Sequence, residues 1–178
     1  MLEILGYSVL GLALVIGAIF AIASRRPDNF LTARTERIAA TPERLFGLIN
    51  DLRQMNTWNP YALRDPSSAI NYGSATKGKG ASYEFGGGKS GSGSLEIVDT
   101  SPPSNVVMRL LMVKPFKADN TVRFTLEPQG PATNVTWAMS GRQPLPAKVM
   151  SLFINCDKMV GRDFEQGLAN LKAIAERA

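Results

Sequence analysis

Residues 121–140 read TVRFTLEPQGPATNVTWAMS, and their spacing decides the fold. Val122, Phe124 and Leu126 fall on one side of an extended chain, while Thr121, Arg123, Thr125 and Glu127 fall on the other. Beyond the turn residues Pro128, Gly130 and Pro131, the alternation returns with Val135, Trp137 and Met139. A period of two with one apolar face predicts paired antiparallel strands whose inner face meets a core. The same period, interrupted by turn residues every 8–12 positions or so, predicts strands at Ala69–Tyr72, Gly80–Phe85, Ser92–Asp99, Asn105–Val113, Thr121–Glu127 and Thr133–Ser140. Phe30–Ile38, with Arg34 and Glu36 among threonines, reads as an edge strand with a wet face.

Helical spacing brackets this strand-rich middle. Thr41-Pro42-Glu43 has the chemistry of a helix start: an N-cap hydroxyl, a proline where no N–H is needed, and an acid favourable to the helix dipole. Leu45, Phe46, Ile49 and Leu52 follow at helical spacing until Trp58-Asn59-Pro60. From about Pro146 to Arg177, Phe153, Val160, Phe164, Leu168, Leu171 and Ala175 form one stripe, predicting a long terminal helix. Gly161 and Gly167 interrupt it, which calls for a bend, expected at Gly161, or for close approach of another backbone. The helix must bury its stripe, and the concave face of a twisted sheet is the large apolar surface on offer. Gaps between the two become a cavity.

The amino-terminal stretch reads differently. Ile4 to Ala23 carries no charge and stops at Ser24-Arg25-Arg26-Pro27. That length crosses roughly 30 Å of hydrocarbon as a helix, so residues 1–24 are expected to form a transmembrane anchor and 25–29 a linker. Ala21-Ile22-Ala23 also fits a signal-peptidase site, leaving a cleaved signal and a secreted or periplasmic product as the alternative. Against it, no Lys or Arg precedes the apolar run. Arg25, Arg26, Arg34 and Arg37 all follow it, and the positive-inside bias predicts a single-pass protein of the cytoplasmic membrane with its carboxyl-terminal domain in the cytoplasm.

Composition excludes more than it names. The 178 residues include no histidine and one cysteine, which removes Ser-His-Asp and Cys-His nucleophile pairs, His-ligated zinc and any disulfide within the chain. No metal or cofactor is expected. The net charge of +5 suits an anionic partner. The basic residues are scattered without a recognisable nucleic-acid module, so a membrane surface is the expected one and nucleic acid is not.

Several short patterns together resemble the START-like, or SRPBCC, superfamily, in particular members labelled polyketide cyclase/dehydrase. They are Ile38-Ala39-Ala40-Thr41-Pro42-Glu43-Arg44-Leu45-Phe46, Ile49-Asn50-Asp51, Trp58-Asn59-Pro60, Ser101-Pro102-Pro103, Pro128, Thr133-Asn134-Val135-Thr136-Trp137 and Phe164-Glu165-Gln166-Gly167-Leu168-Ala169-Asn170-Leu171-Lys172. The likeness covers about Phe30 to Glu176. It implies an α+β helix-grip fold, START or Bet v 1-like, over residues 30–178. About seven antiparallel strands would curve around a long carboxyl-terminal helix and enclose a hydrophobic pocket.

The residues then offer these candidates. Trp58, Tyr61, Tyr83, Phe85, Phe116, Trp137, Met139 and Phe153 could line that cavity or simply fill the core. Lys77, Lys79 and Lys89, near glycine-rich turns expected at one end of the sheet, could meet anionic head groups or only solvent. Gly88-Lys89-Ser90 is not a phosphate loop, since Tyr83 stands where the first glycine belongs and a strand follows. Arg109, in an apolar strand, is expected to point outward. Glu84, Glu96, Asp157 and Asp163 are conceivable acid–base groups that spacing does not distinguish, and Cys156 reads as a small core residue. The lead expectation is a membrane-tethered binder of a hydrophobic small molecule such as a lipid or isoprenoid-like compound. The alternatives are a cyclase/dehydrase-type enzyme using a carboxylate or tyrosine in the same cavity, or an interaction module with no ligand.

Overall fold

The alternation at residues 121–140 becomes a hairpin in which Val122 lies opposite Met139, Phe124 opposite Trp137 and Leu126 opposite Val135. The computed structural model describes residues 2–88 and 91–177; of α1 (Leu2–Ser24), the side chains of residues 2–6, 8–10 and 13 lie outside the description. Seven strands follow: β1 (Asn29–Ile38), β2 (Ala69–Tyr72), β3 (Ser82–Gly88), β4 (Gly91–Ser101), β5 (Asn105–Lys114), β6 (Ala118–Gln129) and β7 (Ala132–Arg142). They form one sheet in the order β1-β7-β6-β5-β4-β3-β2, an antiparallel meander from β2 to β7 with β1 added at the far edge. The third strand starts two residues later than its sequence predicts, because Gly78 and Gly80 take φ of 76° and 86°, outside the β region.

Three short helices cross from β1 to β2: α2 (Pro42–Ile49), α3 (Leu52–Met55) and α4 (Pro60–Arg64). Each has a side-chain cap. Thr41 Oγ1 accepts from Arg44 N, Asp51 from Arg53 N and Gln54 N, and Asn59 from Tyr61 N. Pro60 therefore opens a further helix rather than only closing the preceding one.

The terminal helical region is two helices, α5 (Leu145–Phe153) and α6 (Cys156–Ala175), and the expectation of one helix bending at Gly161 is corrected. The break is at Ile154, whose φ of −122° and ψ of 126° are extended, a conformation its β-branched side chain favours. Both glycines lie inside α6 because another residue passes too close for a side chain. The Arg34 guanidinium crosses Gly161, and a Cβ at Gly167 would stand 2.6 Å from Trp137 Cζ3 and 2.9 Å from Pro60 Cδ.

Contacts divide the chain into two units, Met1–Phe30 with Arg142–Cys156, and Leu31–Gly141 with Asp157–Ala178. Residues 142–156 thus group with the amino-terminal helix and not with the sheet. In the first unit, Lys148 is buried on α5 and its Nζ donates to Asp28 Oδ1 at 2.5 Å, while Gln143 N donates to Asp28 O at 2.7 Å. Among the described residues, no helix is long and apolar enough to cross a membrane. The expected span from Ile4 to Ala23 includes seven residues, 4–6, 8–10 and 13, whose side chains lie outside the description.

In the second unit, α6 is fastened along β1. Arg34 Nε donates to Glu165 at 2.8 Å and its Nη2 pairs with Asp157 at 3.1 Å, Lys172 donates to Glu36 at 2.6 Å, and Ala39 N donates to Glu176 at 2.8 Å. The helix runs the same way as β1 and turns Phe164, Leu168 and Leu171 onto the sheet, all buried.

Gly167→Ala sets helix propensity against space. Alanine gains up to about 1 kcal/mol in a helix interior, while forcing a methyl between two rigid rings costs about 1–3 kcal/mol. The variant is expected to be destabilised in thermal or urea unfolding, whereas Gly47→Ala on α2, with nothing within 4 Å of the added atom, is expected to be neutral or stabilised.

Candidate functional site

The sheet and α6 do not close on each other uniformly. Where β4 to β7 run toward Ser101, Asn105, Gln129 and Ala132, the inward residues Ile97, Val106, Met108, Phe124, Leu126 and Val135 are all buried in the core. Toward the other end, a cavity of about 260 Å³ opens between sheet and helices. Its sheet wall is Ile70, Tyr83, Phe85, Leu95, Leu110, Met112, Asn120, Val122, Trp137 and Met139. Met55, Asn59, Tyr61 and Ala62 come from the short helices, and Phe164 from α6.

An aromatic cluster separates the filled half from the hollow one. Trp137 stacks on Phe164 with centroids 4.3 Å apart, and Phe124 and Trp58 meet Trp137 at 5.0 and 5.8 Å. Trp58 is fully buried, its Nε1 donating to Leu48 O at 3.1 Å, and Asn170 Nδ2 donates to its carbonyl at 3.0 Å. The cavity starts where this cluster ends. Its deep residues Leu95, Tyr83, Val122, Trp137 and Phe164 are buried, whereas Ile70, Phe85, Leu110, Met112 and Met139 are half-buried, which marks the mouth.

Polar groups on the wall fall into two sets. One, Asn59 and Tyr83, is satisfied from behind the wall: Asn59 Nδ2 donates to Asn56 Oδ1 at 3.4 Å, Asn56 Nδ2 donates to Tyr72 Oη at 3.0 Å, and both asparagines reach the Tyr83 hydroxyl. The other set is not satisfied. Asn120 Oδ1 and Trp137 Nε1 are buried with no hydrogen-bond partner among the described residues. Such orphaned groups cost about 1–3 kcal/mol each when they stay desolvated and unpaired.

Among the described residues, the cavity wall holds phenols but no carboxylate. Burial first, and then the neighbouring Asp163 charge and hydrogen bond, push the Tyr61 hydroxyl well above the ordinary phenol value. Burial likewise raises Tyr83, with Tyr72 adding to the effect and hydrogen bonds from Asn59 and Asn56 opposing it. Both stay protonated donors at neutral pH. Asp163 approaches Tyr61 but is held in an ion pair with Arg64 and does not line the cavity. Among the described residues, no cluster of His, Cys, Asp or Glu could hold a metal ion.

Of the aromatic and methionine candidates, Tyr61, Tyr83, Phe85, Trp137 and Met139 stand on the wall. Trp58 is core behind it. Phe116 is corrected: it lies in the turn after β5, 68% exposed, because the strand has already ended at Lys114. Phe153 is corrected too, ending α5 in the other unit at 72% exposed. Lys77 and Lys79 lie in the β2–β3 connection, where Lys77 pairs through its backbone with Asp51 and Lys79 Nζ lies 3.9 Å from Asp99. Lys89 is outside the described residues. Arg109 points outward and pairs with Asp119 at 2.6 Å. Glu84 and Glu96 are exposed, Asp157 belongs to the Arg34 clamp, and Cys156 is half-buried at the start of α6.

Asn120, Leu110 and Met112 are site residues the sequence expectations passed over. The signal for Asn120 was present, since continuing the β6 alternation one step before Val122 turns it inward.

A family model described as polyketide cyclase/dehydrase and lipid transport matches residues 31–176. No curated protein matches the chain. Among solved structures, protein MLL2253 of Mesorhizobium loti superposes with a TM-score of 0.62 at 14% identity, covering 84% of this chain and 98% of its own. The Aha1 dimer of Colwellia psychrerythraea gives 0.59 at 15%, covering 83% and 97%. DynU16, from the dynemicin biosynthetic locus, gives 0.59 at 16%, covering 85% of this chain and 48% of its own. At these identities the likeness is one of fold.

The raised phenols make stability sensitive to alkali. Unfolded tyrosine ionises near pH 10, so the stability of holding Tyr61 and Tyr83 neutral is complete below about 10 and is lost as pH rises beyond it. Urea unfolding at stepped pH is expected to show that loss, and Tyr61→Phe/Tyr83→Phe is expected to show less of it. An equal slope in both proteins would contradict the assignment.

Proposed function

We propose that this chain, which belongs to the polyketide cyclase/dehydrase and lipid transport family, binds one hydrophobic small molecule between the sheet and α6. The single observation that carries the reading is an apolar cavity whose wall includes Asn120 and Trp137, two residues with buried polar atoms, Oδ1 and Nε1, that have no hydrogen-bond partner among the described residues. A ligand with an apolar body and a hydroxyl or carbonyl group, reached by a small turn of the Asn120 side chain, would offset the desolvation cost of that amide.

Volume narrows the class. About 260 Å³ is below the usual range for a whole drug-sized ligand. An acyl or isoprenoid tail fits, with any larger head group left at the half-buried mouth. Such tails reside in bilayers. The uncharged run from Ile4 to Ala23 and the arginines after it support a membrane tether with the domain on the cytoplasmic side. The α1 helix has 23 residues, about 35 Å of rise.

Catalysis is less well supported. Tyr61 is a protonated donor, and no carboxylate or lysine faces the cavity among the described residues, so no base is in place to take a proton from a substrate there.

Native mass spectrometry of the detergent-extracted full chain is expected to show a co-purifying lipid-like mass. Leu110→Trp, which fills the mouth, should abolish it. Asn120→Leu should weaken binding of a hydroxyl-bearing lipid roughly tenfold or more while raising the stability of the empty protein by about 1–3 kcal/mol. Extracts free of any bound molecule, together with an Asn120→Leu protein no more stable than its parent, would overturn the reading.

A further inference from the structure

The large exposed hydrophobic side chains of the sheet-bearing unit are not scattered. Leu31, Leu63, Val113, Phe116 and Met159 are 69%, 50%, 56%, 68% and 57% exposed. All five lie toward one end of the sheet. Leu31 opens the part of β1 in this unit, and Val113 and Phe116 flank the β5–β6 turn. Leu63 is on α4, which leads to Asp65 against Gly88 at the end of β3. Met159 is in the first turns of α6, beside the Asp157–Arg34 pair. The opposite end, formed by the β2–β3, β4–β5 and β6–β7 connections, has no large exposed hydrophobic among the described residues.

Single exposed apolar residues need no explanation, but a segregated set does. The outermost part of it is Val113-Lys114-Pro115-Phe116-Lys117, an apolar tip between two lysines. All five residues are exposed, and neither lysine pairs with a carboxylate among the described residues, since the nearby Asp119 is taken by Arg109. An exposed aromatic beside unpaired cations suits the boundary between acyl chains and anionic head groups. The tip also borders the cavity, because Met112 at its mouth and the buried Asn120, on either side of the turn, line it.

The geometry points to residues 113–117 as a docking tip that enters the surface of an anionic bilayer and sets the cavity mouth against the lipid. Lys77 and Lys79, at the other end of the sheet, face away from it. This rests on the proposed binding function only for its purpose; the contact itself can be read without any ligand.

The test uses Phe116→Trp in the full chain, reconstituted in phosphatidylcholine vesicles with or without phosphatidylglycerol. The indoles of Trp58 and Trp137 are buried, so the parent protein supplies the background. In anionic vesicles the new indole is expected to shift blue and to be quenched by lipids brominated on their acyl chains. Adding Lys114→Gln and Lys117→Gln should weaken the contact roughly fivefold per lysine, and zwitterionic vesicles should lose most of it. An unquenched, red-shifted indole at position 116 in anionic vesicles would overturn the proposal, as would quenching indifferent to both lysines and lipid charge. Native mass spectrometry of the same preparations separates the two readings: a quenched tip with an empty cavity sinks ligand binding and supports docking, while a filled cavity with an unquenched tip sinks docking alone.

Discussion

The stack of Trp137 on Phe164, with Trp58 and Phe124 set around it, is the contact on which the domain turns. Aromatic pairs of this kind contribute about 0.5–1.5 kcal/mol each beyond the area they bury. Position matters more than that sum. The cluster spans the gap between sheet and α6 at mid-strand, so side chains on one side of it can pack to the density of an ordinary interior, while those on the other side are held apart. Leu110, Met112 and Met139 cannot collapse inward, because the helix that would meet them is propped at the height of two stacked rings.

Two glycines and one arginine fix that height. Gly167 lets α6 settle onto the edge of Trp137 and the ring of Pro60, and Gly161 leaves a channel through which Arg34 reaches Asp157. Each glycine lowers helix propensity by up to about 1 kcal/mol, and each is offset by a contact that alanine would block. The ion pairs along β1 are mostly exposed and individually weak, of order 0–1 kcal/mol. Their effect is on register: three attachments at Arg34, Glu36 and Ala39 set how far α6 can slide along the strand, and therefore which residues face Trp137.

The sheet was legible because its signal is local. Alternation at Val122–Leu126 and Val135–Met139 is written within each strand, and turn residues mark where strands stop. The family likeness agrees with that reading and with the closing helix that the apolar stripe predicts. The cavity was legible only as a class of residues. Phe116 and Phe153 have the same apolar character as Phe85; the strand expected to end at Val113 already left Phe116 in a turn, but nothing in the neighbours of Phe153 says that α5 ends there in the other unit. Asn120 escaped for the opposite reason, since a polar residue at a strand start reads as a turn. It becomes informative only when Leu110 and Gly141 are found opposite it and its Oδ1 proves unpaired.

The unpaired groups and the segregated apolar end bear on the same question. A core selected only for stability would replace Asn120 with leucine, because an orphaned amide costs more than a methyl-for-amide exchange gains. A surface selected only for solubility would not gather its exposed hydrophobics at one end. Each feature works against the isolated domain, and each is relieved by the same kind of environment. On the proposed reading, an apolar molecule with a polar group would relieve the first, and a bilayer that supplies such molecules would relieve the second. The half-buried mouth residues stand between the two, so a lipid tail moving from bilayer to cavity would pass over Met112 and Met139, flexible apolar side chains suited to a path of varying width.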